Sequence, residues 1–391
     1  MAKIVNSWNE WDPLKRIIVG RPEGTQVPGP EPGDYSDQPS LGFPLGKYGP
    51  FPQELVDAAN EQMDNFVSIL EGRGIVVDRV EVHPAYMDVR AVSTPDWTQT
   101  NVRGINNPRD VFMTVGNEII EAPGALRSRW YEYLNLRPIF ERYFKEDPEF
   151  LWTSAPKPRL TNDSYEKNYF YNYHKVWSDE IKRERMEKCQ FQLTEKEPMW
   201  DAACAMRYGR DVTWFHSCVT NFAAIDWLKR YFGARGVRIH PVRFGTTTDV
   251  FRSYHIDVLL VPVRPGLVMH NPTRPILTEE MIELYKRNDW EIVEAVEPTH
   301  YYPLELDLWA YGEHEGPSWI SMNTLSLGPN TICVEAHEER YIEQLTKLGI
   351  EVVAVPYDKV VQFGGSLHCT TLDVYREGTL EDYFPNQVPG Y

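Results

Sequence analysis

Cysteine is scarce in this sequence. The 391 residues include five cysteines, and neither a CxxC pair nor a Cys/His spacing typical of a zinc site occurs. Disulfide frameworks belong to oxidising compartments, so this widely spread set favours free thiols in a reducing one. Cys204, Cys218 and Cys333 lie in apolar surroundings, and we predict that they pack in the core.

The sequence also lacks long apolar runs and an excess of positive charge. No segment is long enough to span a bilayer, and residues 1–12 contain no apolar signal region, so we predict a soluble cytoplasmic protein. The formal net charge of −17 disfavours nucleic acid and anionic membranes as partners, because clustered lysine and arginine are needed to bind phosphates. The acidic surface weakly favours small cationic ligands, although solubility is the simpler explanation.

The sequence does contain a recurring helix–strand pattern. In each case an amphipathic segment ends at a glycine or polar break, and a short apolar run follows. Asn221 is a predicted N-cap, because its side chain can accept a hydrogen bond from the first helical turn. The predicted helices cover residues 54–71, 221–232, 278–287 and 337–348.

Pairs of β-type runs joined by turn residues lie upstream of several helices, at 110–115 with 118–120, 255–262 with 267–269, and 319–327 with 331–334. The unit is therefore strand–strand–helix–strand, and its irregular spacing argues against a solenoid. Such units suit a closed, radial α/β assembly with few exposed strand edges. The alternative is a doubly wound α/β sheet, which the antiparallel hairpins and the lack of a glycine-rich phosphate loop disfavour.

Two segments fall outside the repeat. Residues 28–52 are rich in proline and glycine and are predicted to form an irregular covering loop. Residues 157–198 are polar, charged and aromatic and are predicted to form a second irregular insertion, which fits either a substrate-selecting lid or a surface decoration. Neither segment separates independent units, so residues 1–391 are predicted to form one domain.

A glycine pair and a histidine precede Cys369, and a β-type run follows it. Glycine permits close backbone approach to a ligand, and a thiol at that point can act as a nucleophile if its thiolate is stabilised. A free cysteine is more often a small buried apolar residue, and this reading stays open from the motif alone.

Polar clusters also stand where other β-rich units open or close. His255 and Asp257 flank Ile256, and in a strand such alternation places both polar side chains on one face. An imidazole beside a carboxylate suits acid–base chemistry or cation binding, although a single His-x-Asp is more often a solvated pair. In a radial fold the strand ends converge, so these groups are predicted to meet near the axis.

These motifs together resemble the arginine:glycine amidinotransferases, over nearly the whole chain and in the same order. The resemblance implies the five-bladed α/β propeller of guanidine-modifying enzymes, built from pseudo-repeated ββαβ units around a central active site. The segments that carry it are 9–14, 108–111, 116–123, 155–158, 201–203, 209–211, 255–257, 271–275, 364–373 and 376–380.

The resemblance implies a catalytic set. Cys369 matches the nucleophile that attacks the guanidino carbon, and His255 matches the general acid and base. Asp201 matches the carboxylate that supports the histidine or the guanidinium. On a strand, His368 would point away from its neighbour Cys369, which favours His255 as the base.

The resemblance also implies substrate-binding residues. Asp110 matches a carboxylate on the donor guanidinium, Asp257 one near the donor's amino end, and Arg274 the residue that grips its α-carboxylate. Arginine is the expected donor, the transfer is ping-pong through an S-amidino cysteine, and no metal or organic cofactor is expected. The partners are small molecules, and the analogy suggests a homodimer.

Two segments depart from the family pattern. Gly316 and Pro317 stand where a serine pair is usual before Trp319, and residues 251–254 differ from the glycine-specific sequence. The first difference implies a different anchorage of the donor or a different guanidino donor, and the second a distinct acceptor pocket, with neutral drift in a loop as its alternative. Together they favour an acceptor amine other than glycine, in a specialised pathway. The alternatives are a guanidine hydrolase, in which water replaces the amine, and a non-catalytic guanidino-binding protein.

Overall fold

The computed structural model describes residues 3–29, 31–33, 48–88, 90–245, 255–299 and 319–389. Within these ranges the chain forms helices and short strands in alternation. The helices are α1 Gln53–Gly72, α2 Pro108–Val111, α3 Arg137–Glu146, α4 Tyr169–Tyr171, α5 Asp179–Glu187, α6 Phe222–Gly233, α7 Glu279–Arg287, α8 Glu339–Lys347 and α9 Asp358–Val361.

The strands are mostly four to six residues long. They are β1 Leu14–Val19, β2 Gln26–Val27, β3 Gly49–Pro50, β4 Val76–Arg79, β5 Val92–Ser93, β6 Thr98–Gln99, β7 Phe112–Val115, β8 Glu118–Glu121, β9 Leu151–Ser154, β10 Ala205–Tyr208, β11 Asp211–Phe215, β12 Arg238–Val242, β13 Leu260–Arg264, β14 Leu267–His270, β15 Glu291–Glu294, β16 Leu325–Gly328, β17 Thr331–Glu335, β18 Glu351–Val355 and β19 Thr371–Arg376.

The strands form five three-stranded sheets in the described part of the chain, together with two two-stranded ones. In each three-stranded sheet the middle strand pairs antiparallel with one neighbour and parallel with the other. A helix leads from the middle strand to the parallel one, as α6 does between β11 and β12. The predicted strand–strand–helix–strand unit is thus present. One sheet, β19–β1–β4, joins both ends of the chain.

Helix α1 shows why these segments fold as they do. Its buried side chains, among them Leu55, Met63, Phe66 and Leu70, recur at helical spacing on one face. Each such side chain contributes about 1.5–3 kcal/mol when it leaves water. The predicted cap at Asn221 is confirmed, because its side chain accepts a hydrogen bond from the backbone of Ala224 at the start of α6.

Several boundaries differ from those expected. Asp110 lies in the short helix α2, and β7 begins only at Phe112. His255 and Asp257 do not lie on a strand. His255 immediately precedes a 3₁₀ turn, Ile256–Val258, and Asp257 lies within it, so the strand-face argument for this pair was wrong. The turn has three residues per revolution and can present both side chains to one region without strand alternation.

The two predicted insertions have different outcomes. Most of residues 28–52 lies outside the described residues, and its last part pairs as β3 with β2. Residues 157–198 contain α4, a π-helical turn and α5, so this segment is more regular than predicted. Arg185 lies over the rings of Tyr169 and Trp177 there. No helix in the described ranges is long and apolar enough to cross a membrane.

Candidate active site

Each three-stranded sheet is preceded by a short turn that carries a polar side chain. Asp110 comes just before β7, Asp201 before β10, His255 before β13, Asn323 before β16 and Cys369 before β19. The turns before β10, β13 and β16 contact one another in succession, and α2 contacts both β19 and the turn before β10. These five positions, each just before the first strand of a sheet, therefore bring five polar side chains together.

The Cys369 sulfur lies between a hydrogen-bond donor and an acceptor. Its thiol donates to Asp257 Oδ2 at 3.1 Å, and Asn323 Nδ2 donates to Sγ at 3.0 Å. Ligand atoms of Cys369, His255 and Asp110 all lie within 4.8 Å of one another. The thiol is 4% exposed, so any reaction at this sulfur takes place in a desolvated site.

His255 is held by two carboxylates. Its Nε2 lies 3.1 Å from Asp201 Oδ2, and its Nδ1 lies 3.6 Å from Asp110 Oδ1. Burial alone lowers the pKa of His255, but the charge of Asp110 and the hydrogen bond that His255 donates to Asp201 outweigh burial and raise the pKa above its ordinary value. The imidazole is therefore protonated more readily than a free histidine and is suited to donate a proton.

Asp257 accepts two hydrogen bonds at the same oxygen. Its Oδ2 lies 2.9 Å from His368 Nδ1 and 3.1 Å from the Cys369 sulfur. Burial raises the pKa of Asp257, but the hydrogen bond and charge of His368 outweigh it and leave the pKa below its usual value. The prediction that His368 points away from Cys369 was wrong, because both residues lie in the loop before β19 and both reach Asp257.

The surroundings of Cys369 disfavour its thiolate. Burial raises its pKa well above the ordinary value, and the negative charges of Asp257 and Asp110 add to the effect. A positive ligand between these carboxylates would oppose all three causes. A bound cation would thus favour the thiolate.

Asp110 is fixed by an arginine that the sequence reasoning did not identify. Arg129 Nη1 donates to Asp110 Oδ2 at 2.6 Å, and the same guanidinium binds both carboxylate oxygens of Glu132. This leaves Asp110 Oδ1 on the side of His255. Arg129 lies in a basic turn at 127–129 that gave no sequence signal beyond its charge.

Arg274 lies in the turn after β14. It is 4% exposed, and its backbone N–H donates to Asn271 Oδ1, which also accepts from Thr273. This side-chain-capped turn gives the segment 271–275 a defined shape. The assignment of Arg274 to the donor's carboxylate stays a prediction.

A buried charge network lies behind the nucleophile. Asp373, on β19, accepts hydrogen bonds from Arg109, Arg207 and Arg376. Arg207 also binds both carboxylate oxygens of Glu10. Burial raises the pKa of Asp373, but the three guanidinium groups outweigh it and hold the pKa well below its usual range. This network fixes β19, and with it the loop that carries the sulfur.

Two groups of residues offer metal-ligand atoms within the described ranges. One is Cys369, His255 and Asp110, and the other is Glu335, His337 and Asp358 near α9. In the second, both Glu335 oxygens already accept hydrogen bonds from His337. The first combines a buried thiol with an imidazole and a carboxylate, an arrangement that also fits a planar organic cation.

Relatives of known activity cover almost the whole chain. The mitochondrial glycine amidinotransferase of Xenopus tropicalis is 36% identical over 383 residues, which are 97% of this chain and 85% of that protein. The L-arginine:L-lysine amidinotransferase of Pseudomonas savastanoi pv. phaseolicola is 32% identical over 387 residues, covering 97% of this chain and 96% of the relative.

A solved structure gives the same result. An amidinotransferase of the saxitoxin biosynthetic pathway from Microseira wollei superposes with a TM-score of 0.80 at 34% identity, over 97% of this chain and 99% of that one. No protein-family model matches the sequence. The motifs that suggested the resemblance are thus part of a similarity that extends from end to end, and the chain belongs to the amidinotransferases, a family of transferase enzymes.

Proposed function

We propose that this enzyme moves the amidino group of L-arginine to a primary amine and releases ornithine, through a covalent intermediate on Cys369. The observation that carries the proposal is the meeting of Cys369, His255 and Asp110 within 4.8 Å. A guanidinium ion is planar, positive and rich in N–H donors, so carboxylates such as Asp110 and Asp201 hold it well.

In the first half-reaction the bound guanidinium lowers the pKa of the Cys369 thiol, and the thiol proton passes to Asp257, its hydrogen-bond acceptor. The thiolate attacks the guanidino carbon, and an S–C bond forms. The bond from this carbon to the side-chain nitrogen of ornithine then breaks. Protonated His255 gives that nitrogen a proton, and ornithine leaves.

In the second half-reaction the acceptor amine attacks the S-amidino carbon. His255, now neutral, takes a proton from the amine, and the C–S bond breaks to return the thiolate. Asp257 then returns its proton to sulfur. Arg274 would bind the donor's α-carboxylate, and neither step uses a metal or an organic cofactor.

Mass spectrometry tests the covalent step. After incubation with arginine and no amine, the wild-type protein should gain one amidino group on Cys369 and release at most one ornithine per site. C369S should show neither change, whereas C189S, which alters a half-buried thiol after α5, should behave as wild type. Steady ornithine release by C369S would refute the proposal.

The alternatives predict other products. A guanidine hydrolase would release ornithine continuously without an amine, because water would attack the intermediate and give urea. A non-catalytic guanidino-binding protein would bind arginine without forming an adduct. Full-length similarity to amidinotransferases at 32–36% identity supports transfer over both.

We propose further that the acceptor is a primary amine other than glycine, in specialised metabolism. The support is the sequence departure at 251–254 and at Gly316 and Pro317, all of which lie outside the described residues. A panel that contains glycine, L-lysine and larger amines, scored for arginine-dependent ornithine release, tests this. A preference for glycine over every other amine would refute it.

The five three-stranded sheets support a five-bladed propeller in one domain of residues 1–391, with the site on the axis. The succession of contacts between the turns that precede the sheets agrees with such a ring. We also propose a cytoplasmic homodimer. Size-exclusion chromatography with light scattering tests the dimer, and a monomeric mass at micromolar concentration would refute it.

A further inference from the structure

The side chain of Asn323 is buried beside Cys369. It follows a 3₁₀ turn and precedes β16, and it is 1% exposed. Its Oδ1 accepts hydrogen bonds from the backbone N–H groups of Ser366, His368 and Cys369, at 3.1–3.2 Å. One amide oxygen thus clamps the loop that carries the nucleophile.

The clamp also fixes which way the amide points. An amide oxygen accepts and an amide nitrogen only donates, so three N–H donors on one side require the oxygen on that side. The nitrogen must then face the opposite side, where it lies 3.0 Å from Cys369 Sγ. The donor orientation toward sulfur follows from the backbone contacts.

We propose that Asn323 is a catalytic residue, whose side-chain N–H group stabilises the negative charge on the Cys369 sulfur when the thiolate attacks and when it departs. This inference rests on the proposed role of Cys369 as nucleophile. A hydrogen bond to an ionised acceptor is about twice as strong as one between neutral groups. The donor therefore favours thiolate over thiol.

Asp257 has the opposite effect on the same atom. It accepts from the thiol at 3.1 Å and is negatively charged, so it favours the protonated sulfur. The sulfur therefore lies between Asn323, which favours the thiolate, and Asp257, which favours the thiol. Because Asp257 also accepts from His368, and Asn323 also accepts from three backbone groups, both partners are held in place by further hydrogen bonds.

The N323D substitution separates the clamp from the donor. Aspartate has the same shape and can still accept from the three N–H groups, but it presents a negative oxygen to the sulfur. At pH 8 we expect the alkylation of Cys369 by iodoacetamide to slow by about 10- to 1,000-fold, the range for a like charge at this distance. kcat should fall about 100-fold, as for loss of an oxyanion donor, while KM for arginine changes much less.

The matched control exchanges the two groups. In D257N the amide oxygen can take the place of Oδ2 and accept from His368, but the negative charge beside the sulfur is lost, so alkylation should be faster than in wild type. In the double variant D257N/N323D the sulfur again lies between one amide and one carboxylate. Its alkylation rate should return to within about tenfold of the wild-type rate. If N323D acts by distorting the loop, the double variant stays as slow as N323D.

A second measurement needs no substitution at Asn323. In protein labelled with ¹⁵N-asparagine, one side-chain amide signal should shift between wild type and C369A, because the sulfur is its acceptor. Wild-type alkylation and kcat in a folded N323D, or no shifted asparagine signal, would overturn the inference. The proposed function is tested separately, because it fails only if C369S still turns over or the arginine adduct is absent.

Discussion

Replacing His368 with leucine should move the acid limb of the pH profile of kcat/KM for arginine to higher pH. In the wild-type protein His368 Nδ1 lies 2.9 Å from Asp257 Oδ2, and both side chains are buried. This contact offsets the burial that would otherwise raise the pKa of Asp257. Leucine fills much of the imidazole space but has no hydrogen-bond donor. Without that hydrogen bond, less opposes the rise that burial causes in the pKa of Asp257.

The size of the effect follows from the contact that is lost. A hydrogen bond to a charged group contributes about 1.5–3 kcal/mol, and one pH unit corresponds to about 1.36 kcal/mol. The pKa of Asp257 therefore rises, its ionised fraction at a given pH falls, and the acid limb of kcat/KM should move upward by about 1–2 pH units. Above that limb, Asp257 is ionised in both proteins.

The assay is kcat/KM for arginine between pH 5 and 9, in wild type, H368L and H368N. Asparagine can place its amide nitrogen near the position of Nδ1 and keep the donor to Asp257, so its limb should stay within about 0.5 pH unit of wild type. Coincident limbs in H368L and wild type would refute the reasoning. Equal displacement in H368L and H368N would refute the claim that the donor matters.

Three further outcomes are expected. D373N leaves buried arginines without their shared carboxylate, a loss of about 3–5 kcal/mol. With an unfolding entropy of about 2.1 cal/mol/K per residue, the thermal midpoint of unfolding should fall by about 4–6 °C. The control E343Q, which alters an exposed ion pair, should leave the midpoint unchanged. Equal midpoints for the two variants would contradict the network's role. G365A places a methyl group 2.7 Å from Cys369 Cβ and should lower kcat by at least tenfold without a matching loss of stability. The control G72A, whose new methyl group meets no atom within 4 Å, should leave kcat unchanged. Equal kcat in both variants would count against a tightly packed loop. Without arginine, the rate of Cys369 alkylation by iodoacetamide should still rise with pH beyond pH 9, because burial and the charges of Asp257 and Asp110 all raise the thiol pKa. A plateau below pH 8 would contradict this expectation.

Helix positions and strand pairing were accessible from local sequence. The apolar spacing of 54–71 predicts α1 because side chains at helical intervals share a face, and the structure places α1 at Gln53–Gly72. Asn221 and Thr278 both cap helices as short polar side chains do, and each accepts from a backbone N–H of the first turn. These features depend on residues close in sequence.

The contacts at the site were not accessible in the same way. The strand rule placed His368 away from Cys369, but neither residue is on a strand, and an acceptor 111 positions upstream decides where the imidazole lies. Asn323 lies in a segment, 319–327, that was predicted only as a β-type run, and it received no role from the sequence. The signal that would have found it is its place before the first strand of a unit, the position that Asp110 and Cys369 also occupy.

Local residue patterns were enough to establish the repeating unit, the family and the chemical types at the site, because periodicity, turn residues and motifs are properties of neighbouring positions. Which group meets the sulfur depends on the folded arrangement. Asp257, Asn323 and Cys369 come from three separate sheet units, and their charges act on one another only after folding has removed the water between them. For that reason the protonation of Cys369 is a property of the folded site as a whole.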